Sequence, residues 1–152
     1  MPSFKTVHRV QHTAEDMFHL VADIEQYPRF VPLCQNLVVR GRRPLEAERE
    51  VLIADMTVAY KVVKETFTSR VTLDPSNLEI LVEYLDGPFK HLENRWNFLS
   101  PEDHLCDISF YIDYEFKSRT LGALMGTMFD RAFRKFSEAF EARADEVYGA
   151  AA

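Results

Sequence analysis

The spacing of apolar residues along the chain predicts a strand, two short helical segments, a series of strands and one long terminal helix. Residues 4–10 alternate and contain β-branched side chains, which favours an opening strand. Residues 13–16 have the form of a capping box, and the apolar residues after them recur at helical spacing. Residues 26–30 can add one more helical turn, which Pro32 ends.

The middle of the chain, from residue 35 to residue 116, has the pattern of β-strands separated by turn signals. Two of these strands alternate between apolar and polar residues, so we expect an antiparallel sheet with one covered and one solvated face. Gly41, inside the basic run of residues 40–43, is interpreted as a hairpin turn exposed to solvent. The predicted strands in this region are 37–40, 50–60, 61–73, 78–84, 91–99 and 105–116.

Residues 120–148 contain no proline and carry an apolar stripe opposite charged side chains, which predicts an amphipathic helix. A helix of this length measures about 42 Å and must lie diagonally across a curved sheet of shorter strands. This order of elements is that of an α+β helix-grip fold, in which about seven antiparallel strands wrap around the terminal helix and two short helices follow the first strand. We expect residues 1–152 to form one domain with a hydrophobic cavity between helix and sheet.

Composition narrows the class of partner. The formal net charge of −6 argues against broad binding to nucleic acid, and no DNA partner is expected. Cys34 and Cys106 are far apart in sequence and lack a C-x-x-C motif, so we expect two free thiols. The chain starts without an apolar signal region and contains no apolar run near 18 residues, which predicts a cytoplasmic protein. Transient, peripheral contact with the inner membrane stays an open alternative.

Residues 23–35 are unusually apolar and aromatic for a stretch that two prolines keep irregular. They fill the core in one interpretation and form the lip of a cavity in the other. In the second interpretation Pro28 to Leu33 touch a bilayer and open, while Tyr27 is anchored inward. Residues 27–33 are here called the entrance segment. Gly122 and Gly126 weaken the start of the terminal helix and predict a flexible gate that opens with this lip. Close packing of the two glycines is the alternative.

Four stretches of the chain carry a family resemblance: residues 16–34, 66–73, 91–98 and 113–130. On these motifs the chain resembles the coenzyme-Q-binding START-like proteins, within the larger polyketide cyclase and lipid-transfer superfamily. The resemblance implies binding of ubiquinone or a similar polyisoprenoid quinone in support of cellular respiration, without chemistry on the quinone and without another cofactor. Bacterial ribosome-association toxins look similar over the same motifs, so a ribosome-associating translation regulator is the alternative. A polyketide cyclase-like enzyme is a third possibility.

The resemblance places ligand contacts in the entrance segment and at Trp96. At Leu33 the sequence departs from many relatives, which have tryptophan between the proline and the cysteine. The apolar pattern adds inward-facing strand residues and the first half of the terminal helix, whose methionines can adapt to a flexible tail. The full set of candidate ligand-binding residues is Tyr27, Phe30, Val31, Pro32, Leu33, Phe67, Trp96, Phe110, Ile112, Leu121, Leu124, Met125, Met128 and Phe129.

The chain carries no recognisable catalytic motif. His8 and His12 are four residues apart but lie in or just after a strand, so they do not share a helix face as zinc ligands do. The strand carboxylates Asp55, Glu65, Asp107 and Asp113 fit a salt-bridged or solvated sheet face better than the role of acid or base. Neither a nucleophile elbow nor a phosphate-binding glycine loop is present. We therefore expect no catalytic residue, no metal and no enzymatic activity.

Overall fold

The computed structural model describes residues 3–149, which form a seven-stranded antiparallel sheet, two α-helices and a 3₁₀ helix. The strands are β1 (Ser3–Val10), β2 (Cys34–Pro44), β3 (Glu50–Tyr60), β4 (Val63–Asp74), β5 (Glu79–Asp86), β6 (Phe89–Leu99) and β7 (Cys106–Phe116). The helices are α1 (Ala14–Ala22), the 3₁₀ helix (Ile24–Arg29) and α2 (Arg119–Tyr148).

The strands lie in the order β1-β7-β6-β5-β4-β3-β2, and every neighbouring pair is antiparallel. Strands β2 to β7 follow one another as a meander, whereas β1 pairs with β7 at the other end of the sheet. The segment with α1 and the 3₁₀ helix therefore connects the two edge strands. The long helix α2 covers the buried face of the sheet, and the predicted helix-grip fold is confirmed.

The buried face of the sheet follows the period of two that the sequence shows. Leu92, Asn94, Trp96 and Phe98 are the buried residues in the centre of β6, and every second side chain along Cys106–Phe116 is buried. The alternate residues of both strands are at least partly exposed. One continuous apolar core therefore lies between this face and the helices.

Both α-helices begin at side-chain caps. The hydroxyl of Thr13 accepts a hydrogen bond of 3.1 Å from the backbone N–H of Asp16, and the hydroxyl of Ser118 accepts one of 3.1 Å from Leu121. At the other end of α2, Gly149 follows the last helical residue with a φ of 89°, a value that glycine adopts without steric cost. These caps fix the helix bounds close to those that the sequence predicts.

The predicted turn at Gly41 is wrong. Gly41 lies inside β2, where the register shifts between Val39 and Gly41 as at a β-bulge. Glycine is common at bulges in strands as well as in turns, which explains the misinterpretation. The connection to β3 instead falls at residues 45–49, and two arginines of the basic run pair on the surface: Arg40 with Asp55, and Arg42 with Glu25 and Glu50.

The turn between β5 and β6 packs tightly against β4 at Gly87. A Cβ atom at this position would lie 2.7 Å from the Cβ of Phe67 and 2.9 Å from its Cα, and the φ of Gly87 is 141°. Only glycine fits both the space and the backbone conformation. The close approach brings Phe67 against Phe89, with ring centroids 5.3 Å apart, and so shapes one end of the space beneath α2.

Candidate functional site

An apolar cavity of about 110 Å³ lies between the buried face of the sheet and the part of α2 from Phe129 to Phe140. Side chains from β2 to β7 form its floor, and the entrance segment closes one side. Pro32 and Leu33 line the cavity and are also half-exposed. The entrance segment therefore marks the mouth of the cavity.

An aromatic cluster forms one wall of the cavity. The rings of Trp96 and Phe140 meet edge to face with centroids 5.2 Å apart, and those of Tyr27 and Phe140 do so at 5.4 Å. Phe140 is fully buried and comes from α2, Trp96 comes from β6, and Tyr27 comes from the 3₁₀ helix. Three separate parts of the fold therefore meet at this wall.

Asn94 and Ser69 place polar groups on an otherwise apolar wall. The amide Nδ2 of Asn94 donates to the backbone oxygen of Tyr111 at 2.9 Å, and its Oδ1 accepts from Nε1 of Trp96 at 2.8 Å. A side-chain amide has two N–H donors and two lone pairs, so Asn94 keeps capacity for a ligand. Its bond to Trp96 also fixes the orientation of the indole ring.

Backbone contacts hold the entrance segment at both ends. The hydroxyl of Tyr27 donates to the carbonyl oxygen of Val21, and burial raises the pKa of this phenol. At the other end the carbonyl oxygen of Leu33 accepts from the N–H of Ala59 at 3.0 Å. Leu33 has a φ of 69°, a left-handed conformation that costs a non-glycine residue about 1–2 kcal/mol. The segment is thus anchored on both sides of a strained residue.

Eight of the fourteen residues proposed from the sequence lie in the cavity wall, and two other aromatic candidates lie outside it. Phe30 packs on the rings of Tyr27 and Phe140, and the guanidinium of Arg143 covers it at 5.4 Å. Phe110 lies behind Trp96, with ring centroids 4.7 Å apart. The eight residues in the wall are Tyr27, Val31, Pro32, Leu33, Phe67, Trp96, Ile112 and Phe129.

The first turns of α2, which the sequence predicts to line the cavity, lie outside the wall of the cavity described above. Leu124 faces solvent with 58% of its surface exposed, while Met125 is buried away from the cavity and Leu121 and Met128 are half-buried outside its wall. A helical stripe identifies the face of a helix that is buried, but it does not show at which level along the axis a cavity opens. In this fold the cavity opens one or more turns later, beginning at Phe129.

Most of the residues in the cavity wall were not among the candidates from the sequence. Asn94 carried a usable signal, because it is a polar residue among the apolar, inward-facing residues of its strand. The apolar residues from β2 to β5 carried no such signal, since a lining residue and a core residue have the same pattern. The wall residues that were not proposed are Ile24, Leu37, Ala54, Met56, Val58, Ser69, Val71, Ile80, Val82, Leu92, Asn94, Ala132, Phe133, Phe136 and Phe140.

The reactive side chains of the described chain lie outside the cavity wall. Burial raises the pKa of the Cys34 thiol to about 11 and that of Cys106 to about 12, so neither thiolate forms readily near neutral pH. Three of the four strand carboxylates considered from the sequence contact other side chains: Asp55 accepts from Thr68, Asp107 pairs with Arg9, and Asp113 lies 3.4 Å from Nε2 of His91. Among residues 3–149, no three histidine, cysteine or acidic side chains are grouped closely enough to hold a metal ion.

Within residues 3–149, no helix combines the length and the apolar character that crossing a bilayer requires.

Comparison with known proteins gives two groups of relatives. Ribosome association toxin RatA of Escherichia coli strain K12 is 35% identical over 150 residues, which cover 99% of this chain and 91% of that protein. Coenzyme Q-binding protein COQ10 homolog B, mitochondrial, of Xenopus laevis is 32% identical over 139 residues, which cover 89% of this chain and 54% of that protein.

A solved structure and a family model match nearly the same length of chain. The solution structure of an 18 kDa protein from Caulobacter crescentus is 34% identical, has a TM-score of 0.80, and covers 99% of this chain and 100% of its own. The model described as polyketide cyclase / dehydrase and lipid transport matches residues 10–141. That range contains β2 to β7, the entrance segment and every wall residue of the cavity. The chain therefore belongs to the polyketide cyclase / dehydrase and lipid transport family.

Proposed function

We propose that the protein binds and delivers a lipophilic small molecule, a quinone of the ubiquinone type with a polyisoprenoid tail, and leaves it chemically unchanged. The apolar cavity with an aromatic wall carries this proposal. Each buried CH₂ of a prenyl tail contributes about 0.8 kcal/mol, so a tail is retained without precise polar contacts. The free N–H of Asn94 suits a quinone carbonyl oxygen. The name of the Xenopus relative, a coenzyme Q-binding protein, supports this ligand class.

Binding suits the cavity better than catalysis of the cyclase or dehydrase type. Within residues 3–149, the side chains on its wall include no carboxylate, histidine or thiol. The phenol of Tyr27 donates to a carbonyl oxygen, and its raised pKa keeps it protonated, so it is not available as a base. An acid–base reaction requires a group that exchanges protons within reach of the substrate. The cavity offers hydrogen bonds and apolar surface instead.

Loading a long ligand requires the wall to move. The cavity of about 110 Å³ is smaller than the roughly 300–1,000 Å³ of typical ligand pockets. The entrance segment is the natural moving part because it lies at the mouth and contains the strained Leu33. We propose that it swings away from α2 at a membrane surface and closes again over the tail.

The single tryptophan of the chain gives a direct test. Trp96 lies in the cavity wall, so a short-tailed ubiquinone bound there is expected to quench its fluorescence to saturation. Organic extraction of the purified protein and mass spectrometry should also recover a quinone. Protein that carries no quinone and shows no saturable quenching would overturn the proposal.

Replacing either of two alanines of α2 by phenylalanine gives a test variant and its matched control. Ala132 is buried in the cavity wall, whereas Ala123 is exposed. Ala132→Phe fills the cavity and is expected to weaken quenching at least about tenfold, since it displaces several CH₂ groups of the ligand. Ala123→Phe should bind as the unchanged protein does. Thermal melting of both variants verifies that they fold, and unchanged binding by a folded Ala132→Phe protein would contradict the cavity assignment.

A ribosome-associating regulator is the second candidate, because the Escherichia coli relative is named a ribosome association toxin and matches almost the whole chain. The exposed outer face of α2 has a short basic patch of Arg131, Arg134 and Lys135. Arg134 is partly neutralised by Asp130 at 3.2 Å. Arg131 and Lys135 are therefore the residues of this patch best placed to contact ribosomal RNA.

Sucrose-gradient sedimentation separates the two candidates. Cosedimentation with the large ribosomal subunit that is lost in an Arg131→Glu, Lys135→Glu double variant would support the second candidate. A quinone-free protein that cosediments would overturn the first as well. Quinone-loaded protein that stays at the top of the gradient would support the first candidate and contradict the second.

A further inference from the structure

The hairpin of β3 and β4 projects beyond the rest of the sheet. On one side, the pairing of β3 with β2 ends at Val58, which lies opposite Cys34. On the other side, the pairing of β4 with β5 begins only at Thr68, which lies opposite Asp86. Within the sheet, the end of β3 (residues 59–60) and the start of β4 (residues 63–67) therefore pair only within this hairpin. The two-residue turn Lys61–Val62 forms the tip of this projection.

The composition of the tip does not match what a tight turn selects. Two-residue hairpin turns favour glycine, asparagine or aspartate, because these residues tolerate positive φ values. Here the first turn residue is Lys61, with a φ of 54°, and the second is Val62, which is 98% exposed. A fully exposed, β-branched side chain at a strained turn gains nothing from the fold of this chain.

The same tip carries positive charge in an acidic protein. Residues 58–64 contain Lys61 and Lys64 and no carboxylate, whereas the whole chain has a formal charge of −6. Both lysines are exposed, and the ammonium of Lys61 lies 5.3 Å from the ring centre of Tyr60. A membrane interface favours this combination of an aromatic ring, lysines and an apolar tip.

The tip lies beside the mouth of the cavity. Leu33, which lines the mouth, accepts a hydrogen bond from Ala59 at 3.0 Å, three residues before Val62. Met56, Val58 and Phe67 from the same hairpin also line the cavity. A surface that holds the tip therefore also faces the entrance segment.

We propose that the β3–β4 tip, Tyr60 to Lys64, docks the protein on an anionic phospholipid bilayer. Val62 enters the headgroup layer, Lys61 and Lys64 contact lipid phosphates, and the acidic remainder of the protein is turned away from the bilayer. This proposal rests on the proposed function, since docking presents the cavity mouth to a lipid-soluble ligand, but the docking itself needs no ligand.

The test is cosedimentation with quinone-free vesicles, made either of equal parts phosphatidylcholine and phosphatidylglycerol or of phosphatidylcholine alone. We expect binding to the anionic vesicles that weakens as salt is added, and much weaker binding to the neutral ones. Val62→Asp should lower partitioning about tenfold or more because it removes the apolar contact. Lys61→Gln combined with Lys64→Gln should lower it about thirtyfold.

Leu99→Asp is the matched control. Leu99 is 56% exposed at the end of β6, and the hairpin that follows lies at the opposite end of the sheet from the tip. This variant should bind vesicles like the unchanged protein. Equal binding by Val62→Asp and the unchanged protein would overturn the proposal, and so would equal affinity for the two kinds of vesicle. Tip variants that bind vesicles normally but no longer cosediment with ribosomal subunits would also overturn it and assign the tip to the ribosome.

Quenching of Trp96 by a short-tailed quinone in vesicle-free buffer separates this proposal from the proposed function. Tip variants that keep full quenching while losing vesicle binding support the docking surface, and they also show that the variants are folded. An unchanged protein that binds anionic vesicles through Val62 but binds no quinone would support the docking surface and overturn the proposed function.

Discussion

The first third of α2, Arg119–Met128, and its remaining two thirds, Phe129–Tyr148, are held to the rest of the protein in different ways. In the first third, Met125 is the buried side chain, and Gly122 and Gly126 lie within the continuous helix. A Cβ at Gly126 would meet no atom within 4 Å. The remaining two thirds bury six side chains: Phe129, Ala132, Phe133, Ser137, Phe140 and Ala144.

Polar contacts, here called the polar clasp, also hold the last two turns of α2 to the rest of the protein. Glu141 lies 3.0 Å from Nε2 of His8, and Asp145 lies 2.7 Å from Nε2 of the buried His12. The hydroxyl of Tyr148 donates to the backbone oxygen of Asp16 at 3.2 Å. The difference shows that one helix both anchors the fold and, at its first turns, has room to yield. The cavity begins at Phe129, the first residue of the firmly held part of α2.

Phe140→Ala is the most severe way to test this comparison. The ring is fully buried and meets Tyr27, Phe30 and Trp96 edge to face. We expect a loss of about 3–5 kcal/mol in the free energy of unfolding, since a large cavity remains. Leu124→Ala, in the first third of α2, should change the free energy of unfolding by less than about 0.5 kcal/mol. Urea unfolding measures both, and equal losses would refute the proposed asymmetry.

Asp145→Ala should have the next largest effect, because it leaves the buried imidazole of His12 without its carboxylate partner. An unpaired buried polar group costs about 1–3 kcal/mol. The neighbouring, exposed Glu146 provides the control, and Glu146→Ala should stay within about 0.5 kcal/mol of the unchanged protein. If the two variants melt at the same temperature, the clasp contributes nothing to stability.

Gly122→Ala and Gly126→Ala test the first third of α2 directly. A Cβ at Gly122 would make ordinary contacts of 3.9 Å with Phe116, and one at Gly126 would meet open space. Each substitution should raise the free energy of unfolding by about 1 kcal/mol through helix propensity. If the first third of α2 moves during ligand exchange, the double variant should also release quinone more slowly in stopped-flow measurements of Trp96 fluorescence. Faster release would show that the glycines serve another purpose.

The two thiols report local opening without changing stability. The raised pKa values, about 11 for Cys34 and about 12 for Cys106, predict slow reaction of the native protein with a thiol reagent at pH 8. Cys34 follows the entrance segment, whereas Cys106 lies at the start of β7, opposite Val10 of β1. We expect Cys34 to react first, at a rate that bound quinone lowers. Preferential labelling of Cys106 would place the opening elsewhere.

The sequence was sufficient for the fold because periodicity and turn chemistry act locally. The alternation along β6 and β7 and the stripe on α2 each identify a buried face. The error at Gly41 arose because bulges and turns select the same residue. At the site, Trp96 was proposed, whereas Ala132 and Ile80 were not, since small or aliphatic wall residues look like any other core residue. The level of the cavity along α2 depends on the three-dimensional packing of distant strands, which no local pattern encodes.

The pairing of β1 with β7 has a consequence for the order in which the molecule assembles. Val7 lies opposite Ser109, so the first strand has no place in the sheet until β7, residues 106–116, has left the ribosome. Contacts of such long sequence separation form late and slow the folding of a domain. Strands β2 to β6 can form as a growing meander, while β1 and α1 wait for β7. During synthesis the apolar face of the meander is therefore open on the side where α2 will later close, and the interval before closure is when the chain is most exposed to aggregation.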